Sequence, residues 1–136
     1  MLTAVTTDNA ALNSLISVSF GRCSYFILFD EIRNSTEIIR NPFANSLGVG
    51  AGVQLAQLLI EKNVDTVIST QMGIGPFRLL SSADIKVYRC EGCTALQSVE
   101  LLKENELLEM NIPSLSKSRK GRKRYGQGRS PDGFDR

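Results

Sequence analysis

The chain has no histidine. That removes the side chain most often used for acid–base work near neutral pH and the commonest metal-binding nitrogen. Cysteine is scarce and odd in number: Cys23, Cys90 and Cys93. An odd count without a leader segment argues against a structural disulfide framework. No apolar run approaches the roughly 18 residues needed to span a bilayer, and the chain opens on a strand-like pattern, Met1 to Val5. No charged segment followed by an apolar stretch precedes it, so no signal peptide is expected. These absences lead to the expectation of a cytoplasmic protein with no membrane partner. Its 136 residues are enough for one domain and not for two.

The charge is unevenly spread. Residues 1–110 hold 8 Lys/Arg and 12 Asp/Glu, whereas residues 111–136 hold 8 Lys/Arg and 2 Asp. The body is mildly acidic and the tail strongly basic. After Pro113 the chain has too few apolar residues to bury anything, so a disordered basic tail over 111–136 is expected beside a folded unit over 1–110. Such a tail reads either as a solubilising extension or as a contact for nucleic acid or an acidic protein.

The pattern along residues 1–110 predicts a β-β-β-α-β-α-β-α order. Strands are expected at Leu2–Thr6, Tyr25–Asp30, Thr36–Arg40, Val64–Ser69 and Ile85–Tyr88. The apolar spacing Val53, Ala56, Leu59, Ile60 has the helical period, with Asn63 placed to end that helix. Gly73-Ile74-Gly75-Pro76 opens a second helix, and a third is expected from Ala95 to Leu108. The short link between strands two and three predicts a hairpin. Right-handed crossovers then make strands four and five parallel to strand one.

In that arrangement five segments meet at one edge of the sheet: Thr6-Thr7-Asp8, Phe20-Gly21-Arg22-Cys23, Gly48 to Gly52, Gly73 to Pro76, and Cys90 to Thr94. Ligands of open α/β sheets sit outside the carboxyl ends of strands. Helix N-termini present unpaired N–H groups and partial positive charge, and glycine lets a ligand approach the main chain. Three glycine-bearing helix starts with Arg22 beside them suit an anion. Each loop taken alone reads more readily as a tight turn; the convergence of all three shifts the balance toward binding.

Cys90 and Cys93 form a C-x-x-C at an expected helix N-terminus, where a thiol is more readily ionised. Cys23 would reach the same edge as a third thiol. Metal contact, thiol redox chemistry and no chemical role all remain open for these residues. Other chemistries lack their parts. Gly48-x-Gly50-x-Gly52 has the wrong spacing for a dinucleotide fingerprint, and no acidic residue ends the following strand, since Asp65 begins it. There is no phosphate-loop lysine and no nucleophile–base pair. Asp8 and Asp30 fall at opposite ends of the expected sheet.

The ordered set Ser19-Phe20-Gly21-Arg22-Cys23-x-Tyr25-Phe26 with Asp30, Asn41-Pro42-Phe43, the glycine-rich helix start with Gln54-Leu55, Val64-Asp65-x-Val67-Ile68, Gly73-Ile74-Gly75-Pro76 and Ile85-x-Val87-Tyr88 resembles the dinitrogenase iron–molybdenum cofactor biosynthesis family. That family includes NifX-like proteins and the C-terminal domain of NifB. The resemblance covers about residues 1–110 and implies a ribonuclease H-like α/β fold with a five-stranded mixed sheet flanked by helices. It implies a nitrogen-fixation-related accessory role, in which the protein binds or carries an anionic iron–molybdenum or related metal–sulfur cluster without catalysis and meets a cofactor-biosynthesis or acceptor protein. Phe20, Gly21, Arg22, Cys23, Gly48, Gly50, Gly73, Ile74, Gly75 and Pro76 would line the site, and Cys23, Cys90 and Cys93 would be the metal-contacting thiols. Family members often carry histidine where this chain has Ser19 and Asn45-Ser46, so imidazole ligation is absent here. The alternative function is a nucleic-acid or protein interaction module working through the basic tail.

Overall fold

The computed structural model describes residues 1–46 and 50–113, and the backbone of 129–130 and 133–134. Strands β1 (Leu2–Thr7), β2 (Tyr25–Asp30) and β3 (Ser35–Arg40) come first, then helix α1 (Ala51–Glu61), β4 (Thr66–Ser69), α2 (Ile74–Ser82), β5 (Lys86–Arg89), α3 (Ala95–Lys103) and β6 (Leu108–Glu109). They form one mixed sheet in the order β3-β2-β1-β4-β5-β6. β2 runs antiparallel to β1 and β3, β4 is parallel to β1, and β5 is parallel to β4. A separate antiparallel pairing joins β7 (Arg129–Ser130) to β8 (Gly133–Phe134). The other residues of the basic stretch 114–136, on which the expectation of disorder falls, lie outside the described ones.

The period-two alternation of the strands divides the apolar residues between the two sheet faces. Ala4, Phe26, Leu28, Val67 and Val87 form one cluster with Leu55, Ala56 and Leu59 of α1 and Leu80 of α2. Val5, Ile27 and Ile68 form the other with Ala95 and Val99 of α3. β4 is buried on both faces, which explains its unbroken Thr-Val-Ile-Ser run.

Two expectations are corrected. The sheet has six strands rather than five, and α3 stops at Lys103 instead of reaching Leu108. The reason is local. Asn105 takes φ 58°, so the chain reverses, and Leu108–Glu109 returns to pair antiparallel with Arg89–Tyr88. Leu107 keeps its place against the α3-side cluster, which is why a helical apolar period persists past the helix end.

All three helices end in the same way. Asn63, Asp84 and Asn105 sit at φ 61°, 61° and 58°. The residue after each donates its N–H back across the last turn: Val64 to Leu59 at 3.2 Å, Ile85 to Leu80 at 2.9 Å and Glu106 to Leu101 at 2.9 Å. Asn63, Asp84 and Asn105 themselves bond Ile60, Ser81 and Leu102. This double bond pattern is the Schellman motif, built on Asn and Asp where glycine is commonest. Left-handed backbone costs non-glycine residues energy, and an acidic side chain opposes the helix dipole at a C-terminus. Asp84→Gly is expected to raise stability by about 1 kcal/mol and Asp84→Val to lower it by about 1 kcal/mol, read from urea unfolding.

A candidate anion-binding cleft at the helix starts

The registers fix which loops meet. Thr7 pairs with Tyr25 and Tyr25 with Arg40, so the end of β1, the start of β2 and the end of β3 share one edge. Ser69 and Arg89 close β4 and β5 at the same edge. A cleft of about 270 Å³ opens there, walled by Ser19 to Arg22, by Gly50 to Gly52 at the start of α1, and by Gln71, Gly73 and Pro76 at the start of α2. Asp30 lies at the far end, opposite Leu2, so Asp8 and Asp30 are separated.

Backbone contact positions the walls. A Cβ on Gly21 would lie 2.5 Å from the Gly52 nitrogen and 2.7 Å from its Cα. Only glycine lets the Phe20–Arg22 segment rest on the first turn of α1. Gly52 in turn faces Pro76, whose Cγ is 3.0 Å from the place of a Cβ, and Gly75 faces Val53 Cγ2 at 2.9 Å. These two glycines allow α1 and α2 to approach at their N-terminal turns. Gly75 therefore acts in helix packing and does not line the cleft, and Ile74 is likewise absent from the lining. Gly48 lies outside the described residues.

Neither α1 nor α2 is capped by a side chain. Their N-cap residues are Gly50, at φ 114°, and Gly73, in extended backbone. No side chain therefore takes up the first-turn N–H groups, those of Ala51, Gly52 and Val53 in α1 and of Ile74 and Gly75 in α2, where Pro76 has none; of these residues Ala51 and Gly52 line the cleft. α3 differs. Thr94 accepts from the Gln97 N–H, and the Gln97 side chain accepts from the Thr94 N–H, a complete capping box. The Cys90–Thr94 loop is near the same sheet edge but takes no part in the cleft lining.

One tightly held polar residue is named by the sequence only as part of the Asn41-Pro42-Phe43 motif. Asn41 is buried, and its side-chain amide donates to the carbonyls of Gly21 at 3.1 Å and Cys23 at 2.8 Å. Its Oδ1 accepts from Phe43 N–H at 3.0 Å, and its own N–H bonds the Ser24 carbonyl. One side chain thereby ties the loop before β2 to the loop after β3. The available signal is the polar Asn immediately before a proline, just past a strand end. Arg22 ties the same loops from outside: Nη1 donates to the carbonyls of Ser46 at 2.6 Å and Ala44 at 3.3 Å.

The three thiols do not meet. Cys23 belongs to the cluster on the α1–α2 face, and Cys90 and Cys93 to the cluster on the α3 face. Among the described residues no group of three His, Cys, Asp or Glu side chains is arranged to hold a metal ion. The expectation of a shared three-thiol site is therefore corrected: the sheet stands between its members. Cys23 is fully buried, and desolvation pushes its thiol up to about 12, against the lowering effect of Asn41. It is held as a neutral thiol at physiological pH.

The fold and cleft define a class, a mixed-sheet α/β domain with two uncapped helix starts facing one opening. The chain belongs to the dinitrogenase iron-molybdenum cofactor family, whose profile matches residues 1–105. The apo form of the orange protein from Desulfovibrio gigas is similar to it at 28% identity and a TM-score of 0.78, covering 82% of this chain and 94% of that one. A candidate NifB protein from Thermotoga is similar at 29% identity and a TM-score of 0.71, covering 88% and 98%. A candidate dinitrogenase from Methanocaldococcus jannaschii shares the fold at 24% identity and a TM-score of 0.63, covering 83% and 97%. No curated protein matches the chain. No helix among the described residues is long and apolar enough to cross a membrane.

Two outcomes follow from this geometry. Asn41→Ala leaves two buried carbonyls and the Phe43 N–H without their partner, and is expected to cost about 3 kcal/mol in denaturant unfolding. Cys23 binds its proton more tightly when folded, so its contribution is complete below about pH 9 and is lost as pH rises toward 12. Wild type should lose up to about 1.4 kcal/mol per pH unit more than Cys23→Val over that window.

Proposed function

We propose that the cleft holds an anionic metal–sulfur cluster, of the iron–molybdenum type to which the family name points, and that the protein carries this cargo to an acceptor protein without transforming it. The observation that carries the reading is the pair of uncapped helix starts, α1 at Gly50 and α2 at Gly73, facing one opening. The α1 terminus brings the N–H groups of Ala51 and Gly52, with their partial positive charge, to the opening, and the α2 terminus, whose Pro76 has no N–H, adds that of Gly73 and the end of its dipole.

The lining residues suit this cargo and not a bare cation. Among the described lining residues there is one charged side chain, Arg22, and no carboxylate, thiolate or imidazole. A bare metal ion would find no ligand there. A cluster that brings its own sulfide ligands needs only hydrogen-bond donors and a counter-charge. The wall of Phe20, Ala51 and Pro76 supplies apolar contact for the soft sulfide surface. Cys23 has no part in holding the cluster, because its thiol stays protonated and packed in the core. Cys90 and Cys93 stand outside the lining, and the cleft reading does not use them. The basic tail is likewise unused, so an interaction module acting through it has no observation in its favour.

The test uses tetrathiomolybdate as probe, added anaerobically and followed by its absorption spectrum. Gly73 has extended backbone, and a Cβ there meets nothing within 4 Å. Gly73→Phe therefore fills the opening without disturbing the fold. Wild type and the double variant Cys90→Ser/Cys93→Ser should bind alike, and Gly73→Phe should bind at least about tenfold more weakly with unchanged unfolding. A wild type that leaves the probe's spectrum unaltered, or a Gly73→Phe protein that binds as well as wild type, would contradict the reading.

A further inference from the structure

The Cys90–Cys93 pair is a chemical feature that the cleft leaves unused. Its sulfurs are joined as a disulfide across two intervening residues, with the Cα atoms 6.7 Å apart. That separation is within the span a disulfide bridges. Gly92, at φ 78°, makes the turn between the two cysteines. The pair sits immediately before α3, whose dipole favours a thiolate nearby. The two sulfurs differ in access: Cys90 is 6% exposed and packed with Val5, Ile16 and Ile68, whereas Cys93 is half-buried at the rim of that cluster. A partly accessible sulfur beside a shielded one is the asymmetry thiol–disulfide exchange uses.

The backbone on either side of the pair is tied to one strap. Cys93 accepts from the Ile16 N–H at 3.0 Å, and Cys90 accepts from the Thr70 hydroxyl at 2.8 Å. Ile16 leads directly to Ser19 and Phe20, and Thr70 to Gln71. Those two arms are bonded to each other, Phe20 N–H to the Gln71 carbonyl at 3.1 Å and Gln71 N–H to the Val18 carbonyl at 3.0 Å. The turn bearing the cysteines thus anchors both ends of a short hydrogen-bonded strap, residues 16–20 against 70–71.

We propose that Cys90 and Cys93 form a reversible redox couple that exchanges with small thiols of the glutathione class, and that its state sets how firmly the strap is held. In the reducing direction a glutathione thiolate attacks Sγ of Cys93, the S–S bond breaks, and Cys90 leaves as a thiolate that takes up a proton. A second glutathione thiolate attacks the glutathione sulfur of the mixed disulfide, releasing Cys93 as a thiol and glutathione disulfide. Two thiols are oxidised and one protein disulfide is reduced, so the electrons balance. Oxidation is the reverse, with glutathione disulfide as oxidant. With the bond closed the turn that accepts from Ile16 and Thr70 is covalently braced; with it open those two hydrogen bonds rest on an unbraced turn, and Ile16 keeps its packing in the α3-side cluster. The proposal concerns a strap that also walls the cleft, but it stands without the cluster reading.

The experiment equilibrates the full-length protein, without cluster, in buffers running from fully reduced to fully oxidised glutathione. Maleimide labelling read by mass counts the thiols, and amide hydrogen exchange is followed in the two end states. Cys23 is fully buried and should stay unlabelled throughout. The expected result is two labels at the reduced end and none at the oxidised end, a single reversible midpoint, and the same oligomeric state at both ends. Exchange at Ile16, Phe20 and Gln71 should be about tenfold faster in the reduced form, with β1 and β4 unchanged. Cys90→Ser should trap Cys93 as a glutathione adduct, while Cys93→Ser should leave Cys90 slow to react. Two labels in every buffer, a disulfide found only between chains, or equal exchange at the three amides in both states would overturn the proposal.

Discussion

A single buried amide organises the functional edge of this domain. Asn41 reaches from the end of β3 to the carbonyls of Gly21 and Cys23, and so fixes the loop that enters β2. That loop then lies directly on the first turn of α1, at a distance only Gly21 permits. α1 in turn seats α2 through the Gly52–Pro76 and Gly75–Val53 contacts. The two uncapped helix starts therefore face one another across the cleft because a chain of backbone-close contacts begins at Asn41. A buried amide with all its partners satisfied holds such a geometry more rigidly than apolar packing, since any displacement leaves polar groups unpaired.

The two sheet faces divide the chemistry. The α1–α2 face carries the cleft and encloses Cys23, whose burial makes it a core residue with a weakly acidic thiol. The α3 face carries Cys90 and Cys93 beside a helix start already occupied by the Thr94–Gln97 capping box. Anion recognition and thiol chemistry are thereby assigned to different sides of one sheet, and they touch only through the strap that joins Ile16 to Gln71. The name of the dinitrogenase iron-molybdenum cofactor family points to the cargo class proposed for the cleft, and that proposal does not need histidine: donors of N–H suffice when the cargo brings its own sulfide.

Much of this was legible in the sequence. The period-two runs at β1, β2 and β3, the buried Val-Ile core of β4 and the glycine-opened helices were readable because each is a local pattern with its own punctuation. The convergence of loops followed from crossover handedness. The sixth strand was not legible: Leu108–Glu109 is too short to show a period, and Leu107 and Leu108 continue the helical spacing by coincidence. The separation of Cys23 from Cys90 and Cys93 was also hidden, because the topology assigned the edge but not the face, and one residue of strand parity decides it. Asn41 was missed as an organiser because its partners are backbone carbonyls some 20 residues away, which no sequence pattern marks. Gly75 was misassigned for a related reason: a glycine that admits a ligand and one that admits a neighbouring helix look alike until the helices are placed.

The central claim is that ligand recognition belongs to the α1 and α2 starts and not to the cysteine turn. The direct measurement is residue-resolved amide chemical-shift mapping of the folded protein during anaerobic titration with a thiomolybdate anion. The account predicts that the perturbed amides are those of Phe20 to Arg22, Ala51, Gly52 and Gly73, with Cys90 to Thr94 little affected. Perturbations centred on Cys90 to Thr94, or on the opposite end of the sheet around Asp30 to Thr36, would contradict it.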